Sequence, residues 1–332
     1  MTLRHQILIL AALPILALAA FSTALALGQW QSRQAAIATV DAIADASVLG
    51  ALVHQLQIER GQSAGYLASG GVNFADDILI ARDETDAALE AAQPLPPLLA
   101  EHLAALEDTR LDIDALVLDG PASGQFYTAA IRQVLTATSE RLLSANDAGL
   151  IRLATGLSAL SEAKEAAGLQ RAAGAMGLGG QRFNQSTFQA FVERGAAEQS
   201  FLMLTRIELA ELLAEVDFLQ MQDESGVTEI RNAVRAAGPD VPIESFAAPE
   251  WFARATAWID ALRGQEIRLA GEIRALAEGH VARNTTRLML VLALAALAIA
   301  GSLGVGFRVI GMVQRNFNAL TGAMERLGRR EY

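Results

Sequence analysis

The sequence predicts an all-α protein: an antiparallel helical bundle, made of four-helix-bundle units, set between two transmembrane helices. Three observations carry this. Hydrophobic residues make up 52% of the 332 and aromatics only 5%, so the apolar content is mostly Ala and Leu, which favours helices over strands. The apolar excess (mean hydropathy +0.29) is concentrated in two long uncharged runs near the ends. Between them no alternating apolar/polar run is long enough for a strand. Cysteine is absent, which excludes disulfides, thiolate metal sites and a Cys nucleophile. The net charge of −11 speaks against a general nucleic-acid binder, so no nucleic-acid partner is expected.

The elements follow in chain order. Residues 1–6 are a short N-terminal flank. Residues 7–28 form the first expected span, with no charge from Ile7 to Leu27. A cleaved leader would read Arg4 as its basic start and Ala24-Leu25-Ala26 before the cut. The apolar run is longer than a leader's usual core, so an uncleaved anchor is expected. Residues 288–308 form the second span, bracketed by Arg287 and Arg308. Each run is about the length that crosses a hydrocarbon core of roughly 30 Å. In the second, Gly301, Ser302, Gly304 and Gly306 offer a small-residue packing face.

Charge orients the chain. Six basic residues, counting Arg308 at the end of the second span, and two acidic ones flank the apolar runs, and 20 basic and 35 acidic lie in 29–287, giving +4 against −15. Positive flanks belong in the cytoplasm. Both termini are therefore expected inside an inner (cytoplasmic) membrane, in contact with membrane lipid, with 29–287 periplasmic or extracellular.

Glycine and proline punctuate the outer segment at Gly70-Gly71, at Pro94-Leu95-Pro96-Pro97, at Asp119-Gly120-Pro121, at Gly179-Gly180 and from Gly238-Pro239 to Pro249. Asn73 is expected to cap the helix that begins with Phe74-Ala75-Asp76-Asp77. Pro249 suits the first position of a last helix carrying Trp251, Trp258, Leu262, Leu269, Ile273 and Leu276. No proline follows it, so this helix is expected to enter the second span without a break.

Cations appear where leucines should be. At 100° per residue, Leu49, Leu52, Val53, Leu56 and Leu67 share a face, and Arg60 and Ser63 fall on it. Leu150, Leu153, Leu157 and Leu160 define a second stripe, continued by Lys164 and Arg171. Lys164 is the only lysine beside 25 arginines. Glu59-Arg60-Gly61-Gln62-Ser63-Ala64 can be laid on Gln170-Arg171-Ala172-Ala173-Gly174-Ala175, each followed by a Gly-Gly pair and a phenylalanine, Phe74 or Phe183. Arg82 lies on the stripe of Phe74, Ile78 and Leu89, with Thr85 beside it. Arg231 lies between Val227 and Val234.

Such arginines are either paired in the core, with Glu59, Asp86 and Glu165 available, or they form a site for a small anion. Burying an unpartnered guanidinium costs several kcal/mol, a cost that a bound anion would relieve. A flat, forked guanidinium suits a planar oxyanion. The acidic outer segment would oppose anion access, so such a site must be locally basic.

The run Leu52-Val53-His54-Gln55-Leu56-Gln57-Ile58-Glu59-Arg60-Gly61-Gln62-Ser63-Ala64-Gly65-Tyr66-Leu67 resembles the opening signature of the nitrate- and nitrite-sensing (NIT) domain family. Arg82 with Thr85-Asp86, Lys164-Glu165, and Gln170-Arg171-Ala172 match its later steps, with Gln170 where the family has glutamate. The resemblance covers about 45–280. It implies a helical extracytoplasmic sensor that binds nitrate or nitrite through arginines. Arg60 and Arg171 are the leading ligand residues, followed by Ser63, Lys164, Arg82 and Arg231. The tail 309–332 resembles the first helix of a HAMP domain: Val309, Met312, Val313, Phe317, Leu320, Met324 and Leu327 form its stripe, ending in Leu327-Gly328-Arg329-Arg330. Its second helix and an output module would lie beyond it, so the chain reads as cut short. The family joins such sensors to chemoreceptor tips, histidine kinases or nucleotide cyclases. A homodimer and a cytoplasmic signalling partner are therefore expected.

No catalytic constellation is visible. His5, His54, His102 and His280 are not at metal-ligand spacing, and Gly177-Leu178-Gly179-Gly180 follows a helix, so neither metal, cofactor nor enzyme activity is expected. Two other functions fit the same architecture: a receptor for a carboxylate metabolite, and a ligand-free structural or partner-binding envelope protein.

Overall fold

The structure is a computed structural model, and it describes residues 3–143 and 148–328. These form α1 (Leu3–Ala68), α2 (Ala75–Ala91), α3 (Pro97–Leu103), α4 (Leu106–Asp114), α5 (Gly120–Leu143), α6 (Ala148–Gly179), α7 (Gln185–Glu208), α8 (Phe218–Ser225), α9 (Val227–Ala237) and α10 (Ala248–Gly328). The fold is all-α. Among the described residues the sole β feature is an isolated bridge between Arg182 and Pro242.

The chain divides into two compact units, 37–278 and the pair of segments 1–36 and 279–332. The larger unit buries two apolar clusters. In one, Leu52, Val53 and Leu56 of α1 meet Ile78 of α2, Leu99 of α3, Ile113 of α4, and Tyr127, Ile131 and Val134 of α5. In the other, Ile43 of α1 joins Leu157 and Leu160 of α6, Phe191 and Leu202 of α7, Phe218 of α8, Ile230 and Val234 of α9, and Trp251, Trp258 and Leu262 of α10. Helices α1 and α5 serve both clusters, because their inward stripes run longer than either one.

Local chemistry fixes the breaks. The Asn184 side chain accepts from the Thr187 amide to open α7, and Asp217 accepts from the Leu219 and Gln220 amides to open α8. Gly226 turns the chain between α8 and α9 at φ 72°, a left-handed angle that glycine adopts without strain. Asn73 does not cap α2. The residue before the helix is Phe74 at φ 64°, with no side-chain cap, and the Asn73 amide donates to Ser69 Oγ. The reason is packing: the Phe74 ring folds back onto Gly65, where a Cβ would lie 2.5 Å from it. Gly177 receives Phe183 in the same way at the end of α6, at 2.3 Å. Pro249 is the second residue of α10, one place later than expected.

In the smaller unit, Arg33 Nε donates to Thr285 Oγ1 at 2.9 Å. Two helices among the described residues, Ile15–Ala68 and Ala248–Gly322, are long and apolar enough to cross a membrane, and the protein covers none of the second one's apolar window. A Cβ at Gly301, Gly304 or Gly306 would meet nothing within 4 Å, so their small-residue face is unpacked among the described residues. Helix α10 runs unbroken from Ala248 to Gly328, as the absence of proline after Pro249 predicts. Val309, Met312, Phe317, Leu320 and Met324 are exposed along it. Arg329, Arg330 and the rest of the expected HAMP helix lie outside the described residues.

Candidate functional site

The inward stripe of α1 brings Gln57 and Arg60 to α6. Arg60 grips Glu165 with both terminal nitrogens, Nη1 to Oε1 at 2.6 Å and Nη2 to Oε2 at 3.1 Å. Its Nη1 also donates to Thr128 Oγ1 of α5 at 2.9 Å. Gln57 Nε2 donates to the same carboxylate at 2.7 Å. Both ends of this ion pair are buried.

Arg171, six residues after Glu165 on α6, is held differently. Its Nη1 donates to Thr256 Oγ1 of α10 at 2.8 Å, and its guanidinium lies 4.5 Å from the centre of the Phe252 ring. No carboxylate is bonded to it among the described residues. Burial, and then the charge of Arg60, push its pKa down to about 10, so it stays charged at neutral pH. Burial raises the Asp260 carboxyl, which Arg171 draws back down.

Lys164 completes the cluster. Its fully buried Nζ donates to Glu266 Oε2 of α10 at 2.6 Å, and Arg263 Nη1 reaches the same oxygen at 2.7 Å. Ser161 donates to the other oxygen, Oε1. Burial opposes the ionised form of Glu266, but Lys164 and Arg263 outweigh it and hold its pKa at about 2. Burial lowers that of Lys164. His54 sits beside this group with its Nδ1 buried and unbonded, and burial, then Lys164 and Arg263, lower its pKa to about 4. Arg60, Lys164 and Arg263 thus share two bonded carboxylates, Glu165 and Glu266, and Arg171 is bonded to neither. The interior is locally basic inside an acidic segment.

Glycines set the close approach of α1 and α6. A Cβ at Gly61 would lie 3.2 Å from Arg171 Nη2, and one at Gly168 would lie 3.1 Å from Arg60 Nη2.

The other expected site residues fall elsewhere. Ser63 is buried beside the Tyr127 hydroxyl, on the face of Glu59. Glu59 accepts from Arg110 Nε at 2.8 Å, Arg110 Nη2 at 3.1 Å and Tyr127 Oη at 2.8 Å. Arg82 forks onto Asp114 at 2.9 and 2.8 Å. Arg231 forks onto Glu198, which also accepts from Gln222 and Trp258. Arg82 and Arg231 each pair with their own carboxylate through the terminal nitrogens, though each Nε is buried without a partner, and their partners are disjoint from those of Arg60 and Arg171. Periodicity found that they face inward; it could not find what faces them. Gln170, where the family has glutamate, points away from Arg171: its Nε2 donates to the Phe191 carbonyl of α7, about 100° round the helix from its neighbour.

Thr128, Thr256, Phe252, Arg263 and Glu266 were not singled out by sequence. Glu266 carried a signal, since it lies on the apolar stripe of Trp258, Leu262, Leu269 and Ile273. Arg110 carried the same one between Leu106 and Ile113. The threonines carried none. Among the described residues no group of three or more His, Asp and Glu could hold a metal ion.

Fold and site together define a class: an all-helical domain with a polar, cation-rich centre closed by helices from both halves of the chain. Residues 51–274 match the family described as nitrate and nitrite sensing (NIT), and the chain belongs to that family. It is 29% identical over 261 residues to the nitrate regulatory protein of Klebsiella oxytoca, covering 71% of this chain and 64% of that protein. The chain thus spans about 64% of the length of the curated relative it matches. The structure titled as that of the NasR transcription antiterminator shares the fold, with a TM-score of 0.64 at 22% identity, over 84% of this chain and 80% of that one.

Proposed function

We propose that the protein is a transmembrane receptor that binds nitrate or nitrite between Arg60 and Arg171 in its 29–287 segment. The observation that carries this is Arg171: a buried guanidinium with a hydroxyl and an aromatic face, no bonded carboxylate, and a second guanidinium pressing on it. A trigonal oxyanion answers that arrangement. Its oxygens take two forked donors, and its charge offsets the repulsion between the arginines. Thr128 and Thr256 hydroxyls stand at the two guanidinia to complete the shell. Lys164 adds positive potential from its pair with Glu266.

The signal would leave along α10. Thr256 and Phe252 touch Arg171, and the same helix runs unbroken through the second apolar segment, 288–308, and on to Gly328 in the expected start of a HAMP domain. Closure of an anion on Arg171 shifts α10, and the helix passes a small slide or rotation onward. Both termini lie in the cytoplasm, the sensor outside, and a homodimer feeds a cytoplasmic output module. The −15 of 29–287 disfavours nucleic-acid contact by this segment. The relative is named a nitrate regulatory protein, which agrees with a sensing role for the domain they share.

The test is titration calorimetry of the full chain in lipid nanodiscs with nitrate and nitrite. Saturable heat is expected, lost in the Arg60→Ala/Arg171→Ala double variant. Absence of heat, or equal binding by the double variant, refutes the assignment.

A further inference from the structure

Between α5, α6 and α7 lies an opening to solvent with a cavity of about 90 Å³. Thr128, Arg132, Glu162, Glu165 and Arg194 line it. Thr128 and Glu165 are also the two groups bonded to Arg60 through its Nη1, so the opening ends on the Arg60 ion pair. Arg132 and Arg194 are exposed at its sides. Glu162 is half-buried one turn before Glu165 and close to Arg132.

The shape of that ion pair matters. A carboxylate offers two coplanar oxygens on a trigonal carbon, and nitrate offers the same pair on a trigonal nitrogen. Glu165 therefore fills the fork of Arg60 in the manner an oxyanion ligand would. Gln57 steadies it there. A ligand that takes Arg60 through both nitrogens must first lift Glu165 away. The opening gives that carboxylate somewhere to go: water, with Arg132 and Arg194 as new partners.

We infer that Glu165 is a built-in competitor for the anion site, a tethered stand-in that holds Arg60 until ligand displaces it into the opening between α5, α6 and α7. The inference rests on the anion-receptor reading above and adds how that site is regulated. Glu165 sets the concentration at which the receptor responds, because every binding event replaces a bond already made. It also makes the response a change of side-chain partners on α6, coupled to the arrival of charge between α1 and α6.

The experiment is nitrate titration of the full chain in nanodiscs at fixed ionic strength, comparing wild type with Glu165→Gln, Glu165→Asp and Glu162→Gln. Glu165→Gln is expected to bind at least about 10-fold tighter, the equivalent of 1.4 kcal/mol. Glu165→Asp, whose carboxylate keeps its charge but reaches less far toward Arg60, is expected to tighten binding less. Glu162→Gln removes the same charge one turn away and is expected to change affinity less than about 3-fold, as a screened partly exposed charge should. If wild type binds nitrate and Glu165→Gln binds equally or more weakly, the competitor is refuted and the receptor reading stands. Equal tightening by Glu162→Gln also refutes it, as a general field effect. Binding by Glu165→Gln with a silent wild type supports it, with a strong latch. Silence in both removes the receptor reading and the inference together. Should Glu165→Gln lose its helical circular dichroism, Glu165→Asp decides by the same criterion: tighter supports, equal or weaker refutes.

Discussion

Arg110 and Arg171 are both buried guanidinia on helices that otherwise present apolar residues, and their surroundings drive them in opposite directions. Arg110 reaches Glu59, Asp86 and Glu107. Burial works against its charge, yet Glu59 and Asp86 outweigh burial and its pKa rises. Arg171 has a threonine hydroxyl and a phenylalanine face, and its pKa falls. A buried arginine completed by carboxylates is part of the scaffold. One left short of them holds unspent attraction for an anion. The difference lies wholly in what the neighbouring helices bring up, which separates structural from receptive cations within one bundle.

Paired substitutions press on that contrast most strongly. Arg110→Met strands the fully buried Glu59 carboxylate and is expected to cost about 3–5 kcal/mol of stability. Arg171→Met, of similar volume, is expected to leave unliganded stability unchanged or higher, because it removes a charge that lacks a bonded counterion. Thermal or urea unfolding of the two variants measures both; equal losses would erase the distinction.

Ligand should act on the receptive arginine alone. Nitrate at about 100-fold its dissociation constant is expected to raise wild-type stability by about 2.7 kcal/mol. Arg171→Met is expected to lose this gain, whereas Arg82→Met, which breaks the Asp114 pair and a bond to the Arg110 carbonyl, keeps it. Melting curves with and without nitrate give the comparison, and a retained shift in Arg171→Met would contradict it.

Acid offers a third handle. The folded protein holds His54 neutral down to about pH 4, against 6.5 ordinarily, so the unfolded chain takes up the proton first. Stability is full above pH 6.5 and is lost as pH falls toward 4, by about 2 kcal/mol for a half-buried ring. Glu266, held down near 2, begins to give up its contribution only below its ordinary 4.5. Between pH 6.5 and 4.5 the decline therefore belongs to His54 of these two, and His54→Gln is expected to flatten it in a pH series of unfolding curves.

The smallest effect belongs to a third setting. Arg274 and Glu278 pair four residues apart on α10, both about half exposed. Glu278→Gln is expected to change stability by no more than about 0.5 kcal/mol and to leave nitrate binding untouched.

The sequence foretold the helices, the two apolar runs and the inward faces of Arg60, Lys164 and Arg171, because each is written in one helix's own periodicity. It placed a cap at Asn73 where there is none, since the packing of the Phe74 ring on Gly65 acts across a turn. It ranked Arg82 and Arg231 with the site because Asp114 and Glu198 lie far along the chain from them. Thr256 stayed invisible, as a threonine on a helix has no pattern of its own. What one helix encodes alone is legible; what two helices make between them is not.

Gly61 and Gly168 carry that point to the seam between α1 and α6. Each helix supplies an arginine and also the bare backbone beside which the other's arginine lies. A methyl group at either glycine would push the opposite helix's guanidinium aside by a few tenths of an ångström. Each arginine therefore takes its position in part from a residue on the helix it does not belong to, and the four positions form one unit across the seam.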